Sequence, residues 1–357
     1  MITQTVGELS ELEPLELAGQ VANRAAVGHV VEEYLSRKAR NTIRTQAAAL
    51  DLFADYLDAG GDVGATMRRF AAAVATWADA EDNWRPDPAA WRGVTWGIVE
   101  GFVKWLLNEG YAVTTVNNRL SVVKVYAKLA MKAGVISTNE LQLIKAVSGY
   151  SGKEAKRIDE RRPVDRVGDK KEEHVSLAPA DAAALKDQDL GTPQGRRDAL
   201  LMCLLLDHGL RVSEVAGLQV TDFDLPVGEL RFYRPKVDKV QTHRLTADTL
   251  RVARAYFAAD APAIGRAILA SRKGGELVSR PMSKRAITKR VRYLGQQLLG
   301  LQDLSAHDCR HFWATDAARN GTDPFRLQEA GGWSSLAMPR RYVEDAKVAN
   351  EGVKLSK

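Results

Sequence analysis

The chain has almost no cysteine. Cys203 and Cys309 are the only two in 357 residues, and they lie far apart in the sequence. Two thiols are too few for a disulfide framework or for a metal site built from thiolates. Such low cysteine usage fits a reducing cytosol.

Long hydrophobic runs are also missing. The longest run lies around residues 200–206, far short of the roughly 20 apolar residues that cross a membrane. Residues 1–16 are acidic and contain no long apolar block, so they do not predict a signal peptide. The sequence thus predicts a soluble, cytoplasmic protein that has no membrane partner.

Neither sign of charge dominates the chain. It carries 51 Lys+Arg against 45 Asp+Glu, a net charge of +6, with a pI near 9.2. Such a small excess attracts an anion only where it is concentrated, so by itself it is weak evidence for a nucleic-acid partner. A length of 357 residues with 45% hydrophobic content predicts two domains, each with its own core.

The first half predicts an all-helical domain at residues 25–148, preceded by an N-terminal extension at residues 1–24. Apolar residues recur at spacings of three and four, and glycines such as Gly110 and Gly134 end the predicted helices. Five of the seven tryptophans lie here, and packing in the core or at the domain edge is a better account of them than base stacking. The predicted helices cover residues 26–38, 42–57, 66–78, 94–109 and 114–134.

Some polar residues of this domain lie near predicted helix starts, where backbone N–H groups also favour phosphate. We treat them as candidate DNA contacts: Arg40, Arg44, Asn117, Asn118 and Arg119.

The composition changes at residues 149–174, which contain glycine, serine and dense mixed charge and show no apolar period. This composition predicts an extended linker between domains. Its lysines and arginines fit a solvated surface as well as a basic strap that clamps a duplex, and both interpretations stay open.

The second half predicts a mixed domain at residues 175–345, followed by a tail at residues 346–357. Short alternating segments at 218–223, 229–233 and 242–245 predict a small antiparallel sheet. Helices are predicted at 179–186, 196–208, 247–257, 283–299 and 307–320, with another from Pro324 to the Gly331-Gly332 pair. The expected fold class is therefore mainly α with a small antiparallel β-sheet.

Four motifs of this domain suit attack on a phosphodiester without metal: Gly-Leu-Arg-Val-Ser-Glu at 209–214, His-Asp-Cys-Arg-His at 307–311, Gly-Gly-Trp-Ser-Ser at 331–335 and Arg-Tyr at 341–342. Arg211 and Arg310 can neutralise the charge that builds on the non-bridging oxygens, because a guanidinium fork stays protonated and bonds two oxygens at once.

His307 lies three residues before Arg310 on a predicted helix, so both face one phosphate. It would donate to an oxygen or assist proton transfer. For His311, helix packing or support of a neighbour is the favoured role. The structural alternative for Arg211 is capping of the preceding helix while it pairs with Glu214.

These motifs, in this order, resemble the boxes of the tyrosine recombinase (phage integrase) family over residues 175–345. The helical first half resembles the core-binding, SAM-like domain of that family. The resemblance implies that Tyr342 is the nucleophile and forms a 3′-phosphotyrosyl DNA adduct, which leaves a free 5′-hydroxyl and needs no metal, ATP or cofactor. Its spacing of nine positions from Trp333 distinguishes it from Tyr233 and Tyr293.

Trp333 stands where many members carry histidine, and the QEAGGW box at 328–333 resembles that of Cre. An indole N–H donates one hydrogen bond but cannot act as a base, so Trp333 would orient the phosphate. In the family, a lysine on a β-hairpin turn protonates the leaving 5′-oxygen. Resemblance to the common Pro-Lys-Thr turn favours Lys236 over Lys239, although the turn departs from that pattern at Val237.

The resemblance further implies a double-stranded DNA partner and a homo-oligomer, a tetramer at synapsis. The helix after Ser283 offers candidate phosphate or groove contacts, or else a solvated face: Lys284, Arg285, Lys289 and Arg292. Two other functions stay open, a type IB topoisomerase and a catalytically idle DNA-binding regulator. A metal-dependent nuclease is disfavoured because no carboxylate cluster accompanies the boxes.

Overall fold

The computed structural model describes residues 14–77, 85–161, 167 and 174–346. The chain forms two compact units, Met1–Lys170 and Lys171–Lys357, and their boundary falls inside the segment predicted as a linker. Most of the predicted C-terminal tail, part of the N-terminal extension, Trp84 and much of the linker's basic run lie outside the described residues. No helix in the described ranges is long and apolar enough to cross a membrane.

The first unit is all-helical in its described part, as predicted, apart from one β-bridge between Tyr111 and Val167. A short 3-10 helix at Pro88–Trp91 connects its two halves along the chain. Its helices are α1 (Pro14–Val27), α2 (Val30–Ser36), α3 (Arg40–Ala59), α4 (Ala65–Thr76), α5 (Trp96–Asn108), α6 (Val113–Lys132), α7 (Thr138–Ala146) and α8 (Gly152–Arg161).

The core of the first unit is rich in aromatic rings. Phe53 on α3 meets Phe102 on α5 edge-on, with ring centroids 5.0 Å apart. Trp91 is fully buried and stacks parallel to Tyr126 of α6. Pairs of this kind add specific ring contacts to the general gain from burying apolar area. For Trp91, packing rather than base stacking is therefore the role that the structure gives.

Helix α8 lies in the segment predicted to be extended, and that prediction was wrong for residues 152–161. Its start is stabilised locally by a reciprocal cap, because the Glu154 carboxylate accepts from the backbone N–H of Ser151 at 2.7 Å and the Ser151 hydroxyl accepts from the backbone N–H of Glu154 at 3.3 Å. An apolar period does not reveal such a cap. Just before it, Asn117 bonds both the N–H and the carbonyl of Tyr150. Asn117 therefore has a structural role, not the free amide expected of a DNA contact.

The second unit is mainly helical with a small three-stranded antiparallel sheet, whose strands lie in the order of the sequence, as predicted. A second sheet, formed by the last two strands of the sequence, was not predicted. The elements are α9 (Pro179–Lys186), α10 (Pro193–Leu206), α11 (Val212–Val215), β1 (Phe223–Asp224), β2 (Glu229–Arg234), β3 (Lys239–Arg244), α12 (Ala247–Ala259), β4 (Leu269–Ser271), β5 (Leu277–Pro281), α13 (Lys284–Leu299), α14 (Ala306–Arg319), α15 (Pro324–Gly331) and α16 (Ala337–Ala346).

The strand predicted at 218–223 is much shorter than expected. Only Phe223 and Asp224 pair with β2, while Val220–Asp222 forms a 3-10 turn. The Asp222 carboxylate accepts from the backbone N–H of Gln219 at 2.8 Å, and a side chain that satisfies the backbone in this way competes with strand pairing.

Helix α10 forms the centre of the second core. All residues from Ala199 to Leu206 are at most 3% exposed, which fits a helix that is apolar all round. It packs against α9, α12 and α14. The start of α14 is fixed by Asp308, whose carboxylate accepts from the N–H of Ser305 at 2.8 Å and from the N–H of Val175 at 3.1 Å. This cap sets the position of the histidines and the arginine on the first turns of α14.

Candidate active site

Arg310 connects three of the four motifs. It is 4% exposed, and its guanidinium donates to the carbonyl oxygens of Gly209 and Gly331. The same guanidinium lies over the Trp333 ring, 4.3 Å from its centroid. Burial, together with the nearby charge of Arg211, lowers the pKa of Arg310 to about 9. The group is therefore still protonated at neutral pH.

Arg211 directly precedes α11. Its Nη1 donates to Oε1 of Glu214 at 2.8 Å, and its Nη2 donates to the carbonyl oxygen of Gly332 at 3.0 Å. The pairing with Glu214 that the sequence allowed is thus present, but the second bond reaches the residue next to Trp333. The side chain keeps 21% of its surface exposed, so part of the guanidinium stays open to a ligand.

The glycines that receive these bonds are required by geometry. Gly332 has a φ of +59°, and a Cβ there would lie 2.5 Å from Cδ of Arg234. Gly209 has a φ of +58°, and its Cβ would lie 2.3 Å from the Trp313 ring. Any other residue would be strained and would collide at either position. The main chain must therefore pass close to Arg234 at one position and close to the Trp313 ring at the other.

Arg234 is a component of the site that the sequence did not single out. It is fully buried at the end of β2. Nη1 donates to Oε2 of Glu214 at 2.9 Å, Nη2 donates to the Ala330 carbonyl at 2.8 Å, and Nε donates to Gln241. The sequence does contain a signal for this burial. Arg234 lies two residues after the inward-facing Phe232 in an alternating strand, so both side chains lie on the same face of the sheet.

The electrostatic balance of this cluster is positive. Arg211, Arg234 and Arg310 contribute three guanidinium groups, and Glu214 is the carboxylate that pairs with two of them. Burial lowers the pKa of Arg234, as it does that of Arg310. A partly buried excess of positive charge is a site for an anion, since a bound anion would relieve the mutual repulsion.

His307 lies on the first turn of α14 and is exposed. Its Nε2 is 3.0 Å from Nε2 of His311, one turn further along the helix. The surrounding protein removes part of its hydration and so lowers its pKa, and the nearby cations Arg310 and Arg211 act in the same direction. His307 is therefore a mostly neutral imidazole at pH 7, at the edge of the cationic cluster.

Tyr342 on α16 is 5% exposed. Its ring centroid is 5.9 Å from that of Trp333, and its hydroxyl oxygen is 3.2 Å from Nδ1 of His311. The two alternative tyrosines differ in both respects. Tyr233 and Tyr293 are about half exposed, Tyr233 donates to Asp238, and Tyr293 lies under the Arg290 guanidinium. Of the three, Tyr342 alone lies within the cluster.

The two candidate lysines lie on or beside the turn between β2 and β3. Lys236 is in the turn, and Lys239 is the first residue of β3. Both line the same pocket of about 450 Å³, together with Gly332 and Trp333. Because each can reach this pocket, the preference for Lys236 stays a prediction.

Most candidate DNA contacts project from helix surfaces, and Arg119 does not. Arg119 is half-buried, and its Nη1 donates to the Thr45 carbonyl at 3.2 Å, so part of its bonding capacity is used inside the first unit. Arg292 is exposed but pairs with Asp303 at 3.2 Å. The other candidates are exposed: Arg40, Arg44, Asn118, Lys284, Arg285 and Lys289.

Three or more histidine, cysteine or acidic side chains do not converge into a possible metal site anywhere in the described part of the chain. The site consists instead of guanidinium, imidazole, indole and phenol groups around one cationic centre. Within a mainly helical, two-unit chain, such a set defines a class of protein that binds and attacks phosphodiesters through its own side chains.

Comparison with known proteins gives the family. Residues 176–348 match the model of the phage integrase family. Tyrosine recombinase XerC of Mycobacterium sp. (strain KMS) is 27% identical over 269 residues, which cover 73% of this chain and 82% of that protein. Tyrosine recombinase XerD of Staphylococcus aureus (strain N315) is 23% identical over 250 residues, covering 70% and 78%. The second unit therefore matches a phage integrase family domain, and the relatives that this chain resembles are tyrosine recombinases.

Solved structures agree on the fold. The XerH site-specific recombinase bound to a palindromic difH substrate superposes with a TM-score of 0.56 at 16% identity, covering 79% of this chain and 76% of that one. The Tn1549 transposon integrase in complex with transposon right end DNA gives 0.54 at 16% identity, covering 82% and 94%. The expected fold class is confirmed, whereas the likeness of the tryptophan box to Cre stays a prediction.

Proposed function

We propose that this protein recombines DNA at specific sites by cleaving and rejoining strands through a 3′-phosphotyrosyl intermediate. The observation that carries the proposal is the position of the buried Tyr342 beside Trp333, over which the guanidinium of Arg310 also lies. A phenol beside a cationic cluster is the arrangement that attack on a phosphodiester requires.

Binding of the scissile phosphate is the first step. The open part of Arg211 and the charge of Arg310 hold the non-bridging oxygens, and the indole N–H of Trp333 and the imidazole of His307 add single hydrogen bonds. Arg211 and Arg310 are already held by main-chain carbonyls and Glu214 before DNA arrives, so little reorganisation opposes the build-up of charge during attack.

Attack by the Tyr342 oxygen then forms the P–O bond to tyrosine and breaks the bond to the 5′-oxygen. The leaving oxygen takes a proton from Lys236, or from Lys239 on the same pocket. The phosphotyrosyl bond retains the energy of the broken ester. A 5′-hydroxyl from another strand reverses the step, so rejoining needs neither ATP nor metal.

We also propose that the active species is a homo-oligomer assembled on double-stranded DNA in the cytoplasm, a tetramer at synapsis. Two relatives support assembly on DNA: λ integrase forms a dimer bound to its core site, and XerH binds a palindromic substrate. The exposed basic residues of α13 and α3 are the proposed phosphate contacts outside the active site.

Covalent trapping tests the proposal. Nicked suicide duplexes from DNA that flanks the gene are incubated with the protein, and any adduct is mapped by mass spectrometry. We expect the phosphate on Tyr342, a free 5′-hydroxyl, and cleavage that persists in EDTA. Tyr342→Phe should bind the same duplex without forming an adduct, while Tyr293→Phe, the matched control, should behave as wild type. An adduct on another residue would overturn the assignment.

A two-site exchange assay separates recombination from the alternatives. Exchange of flanks between two duplexes that carry the trapped sequence supports recombination. Relaxation of a supercoiled plasmid that lacks this sequence, without exchange, would identify a type IB topoisomerase. Unchanged biological activity of Tyr342→Phe would identify a DNA-binding regulator.

A further inference from the structure

His311 makes a polar contact to the tyrosine hydroxyl. The Tyr342 oxygen lies 3.2 Å from Nδ1 and 3.5 Å from Nε2 of the His311 ring. The two rings meet edge-on, with centroids 5.3 Å apart and an interplanar angle of 69°. A basic nitrogen within hydrogen-bond reach of a nucleophile is the geometry that a general base needs.

The other ring nitrogen of His311 is also engaged. Its Nε2 lies 3.0 Å from Nε2 of His307. One tautomer satisfies both contacts: the tyrosine hydroxyl donates to Nδ1 of His311, and the Nε2–H of His311 donates to Nε2 of His307. The hydroxyl is thus joined through the imidazole of His311 to His307, the histidine proposed to contact the phosphate.

We propose that His311 is a catalytic residue, which accepts the phenolic proton of Tyr342 during strand cleavage and returns it during rejoining. This role rests on the proposed function of Tyr342 as nucleophile. It goes beyond the packing or supporting role that the sequence favoured for His311.

The proton and charge balance of the step is simple. As the Tyr342 oxygen bonds to phosphorus, its proton moves to Nδ1 of His311, and the Nε2 proton of His311 moves to His307. His311 ends neutral in its other tautomer, and His307 becomes an imidazolium beside the phosphate. The 5′-oxygen leaves with a proton from the lysine of the β2–β3 turn. Rejoining runs the same transfers backwards.

The need for such a base follows from the acidity of phenol. With a pKa near 10, about one phenol in a thousand is ionised at pH 7. A positioned base that removes the proton in the transition state typically accelerates a reaction by about 10²–10⁴-fold. The guanidinium groups of the cationic cluster stabilise the phosphate oxygens but cannot take this proton, because they only donate, and the Glu214 carboxylate of the cluster is already paired with Arg211 and Arg234.

The surroundings of His311 keep its ring neutral and fixed. The His174 ring stacks on it, with centroids 5.0 Å apart and an interplanar angle of 16°. Burial, with the neighbouring imidazoles of His307 and His174 acting in the same direction, lowers the pKa of His311 to about 4, although Asp308 opposes the shift. The acceptor nitrogen is therefore available throughout the neutral range. The titratable and charged groups that face it are His174, His307, Asp308, Arg341 and Tyr342.

His311→Gln tests this role, because an amide can still accept a hydrogen bond from the phenol but cannot take its proton. The probe is the duplex selected by covalent trapping, and the measurement is the single-turnover rate of adduct formation from pH 6 to pH 9. We expect a loss of about 10²–10⁴-fold at pH 7. The loss of rate relative to wild type should shrink about tenfold per pH unit, because hydroxide then removes the tyrosine proton in place of His311.

A second substrate separates this proton from that of the leaving group. A bridging 5′-sulfur leaves as a thiolate and needs no proton. It should restore the lysine variants Lys236→Ala or Lys239→Ala, whichever is impaired, but leave His311→Gln slow. If the variant folds poorly, His311→Ala with added imidazole gives the same answer, since free imidazole should restore the rate.

Three results would overturn the role of His311. The first is a His311→Gln rate within about fivefold of wild type at pH 7, and the second is a loss of rate in this variant that stays constant from pH 6 to pH 9. The third is failure of imidazole to restore the rate of a folded His311→Ala. Failure of the proposed function looks different. In that case the wild-type protein itself forms no adduct, or forms one that survives Tyr342→Phe.

Discussion

Arg234→Met is the substitution with the clearest expected effect on this site. Methionine has a similar length and fits an apolar cavity, so the change removes mainly the charge and the donors. It leaves the carboxylate of Glu214 with Arg211 as its remaining ion-pair partner, and it leaves the Ala330 carbonyl without its 2.8 Å donor. Glu214 is buried and Ala330 is partly buried, and the loss of a donor at such an acceptor is costly.

The magnitude follows from burial. Arg234 is 0% exposed and Glu214 is 3% exposed, and breaking a buried ion pair by removing one partner costs about 3–5 kcal/mol. Arg231 lies on the exposed face of the same strand, so Arg231→Met is the matched control and should change the free energy of unfolding by less than about 0.5 kcal/mol.

Urea denaturation of the full chain measures both variants. Glu214→Gln and the double variant complete a cycle, and we expect the double variant to be less destabilised than the sum of the two single changes by about 1–3 kcal/mol. The rate of covalent adduct formation should fall as well, because Arg234 holds the carbonyls that precede Trp333. A destabilisation below about 1 kcal/mol, or strict additivity, would refute this account of the buried pair.

Three further predictions concern single residues. Arg310→Lys should slow cleavage by about 10²–10³-fold in a single-turnover assay. An ammonium cannot replace a planar guanidinium that bonds two carbonyls and, as proposed, a phosphate. An unimpaired rate would contradict the proposed role of Arg310 in binding the phosphate. Of Lys236→Ala and Lys239→Ala, we expect the first to lose more cleavage on an ordinary phosphodiester, and the reverse order would assign the proton donor to Lys239. Burial lowers the pKa of His208 to about 4, whereas the unfolded chain titrates near 6.5. Between pH 6.5 and pH 4, the unfolded state therefore binds a proton at His208 that the folded state does not bind. The free energy of unfolding should drop by roughly 3 kcal/mol over this pH range. His208→Gln should show a correspondingly shallower dependence in urea melts, and an unchanged slope would rule His208 out as the cause.

The sequence predicted those parts of the fold in which local signals agree. Helix α9 begins and ends where the pattern placed it, because Pro179 marks its first turn and the apolar period is clear. The antiparallel pairing of β2 with β3 followed from alternation on either side of a turn. The β4–β5 hairpin escaped prediction because its strands are short and β5 is mostly exposed.

The candidate site was predicted as a set of motifs, and its connections were not. Arg211, Arg310 and Tyr342 are apart in sequence, and their clustering depends on the Gly331-Gly332 turn, whose carbonyls receive the guanidinium bonds. Arg234 was missed because an arginine next to a turn is ordinarily solvated. Its burial is a tertiary effect that depends on Glu214, 20 residues earlier in the chain.

The attachment of three arginines to main-chain oxygens has a consequence for retargeting the enzyme. The main-chain carbonyls that accept these bonds are present whatever side chains surround them. They belong to Gly209, Ala330, Gly331 and Gly332. The chemical machinery is thus insulated from variation on the exposed faces of α3 and α13. A library that randomises those faces should shift the DNA sequence that is cut while leaving the rate of the chemical step nearly constant.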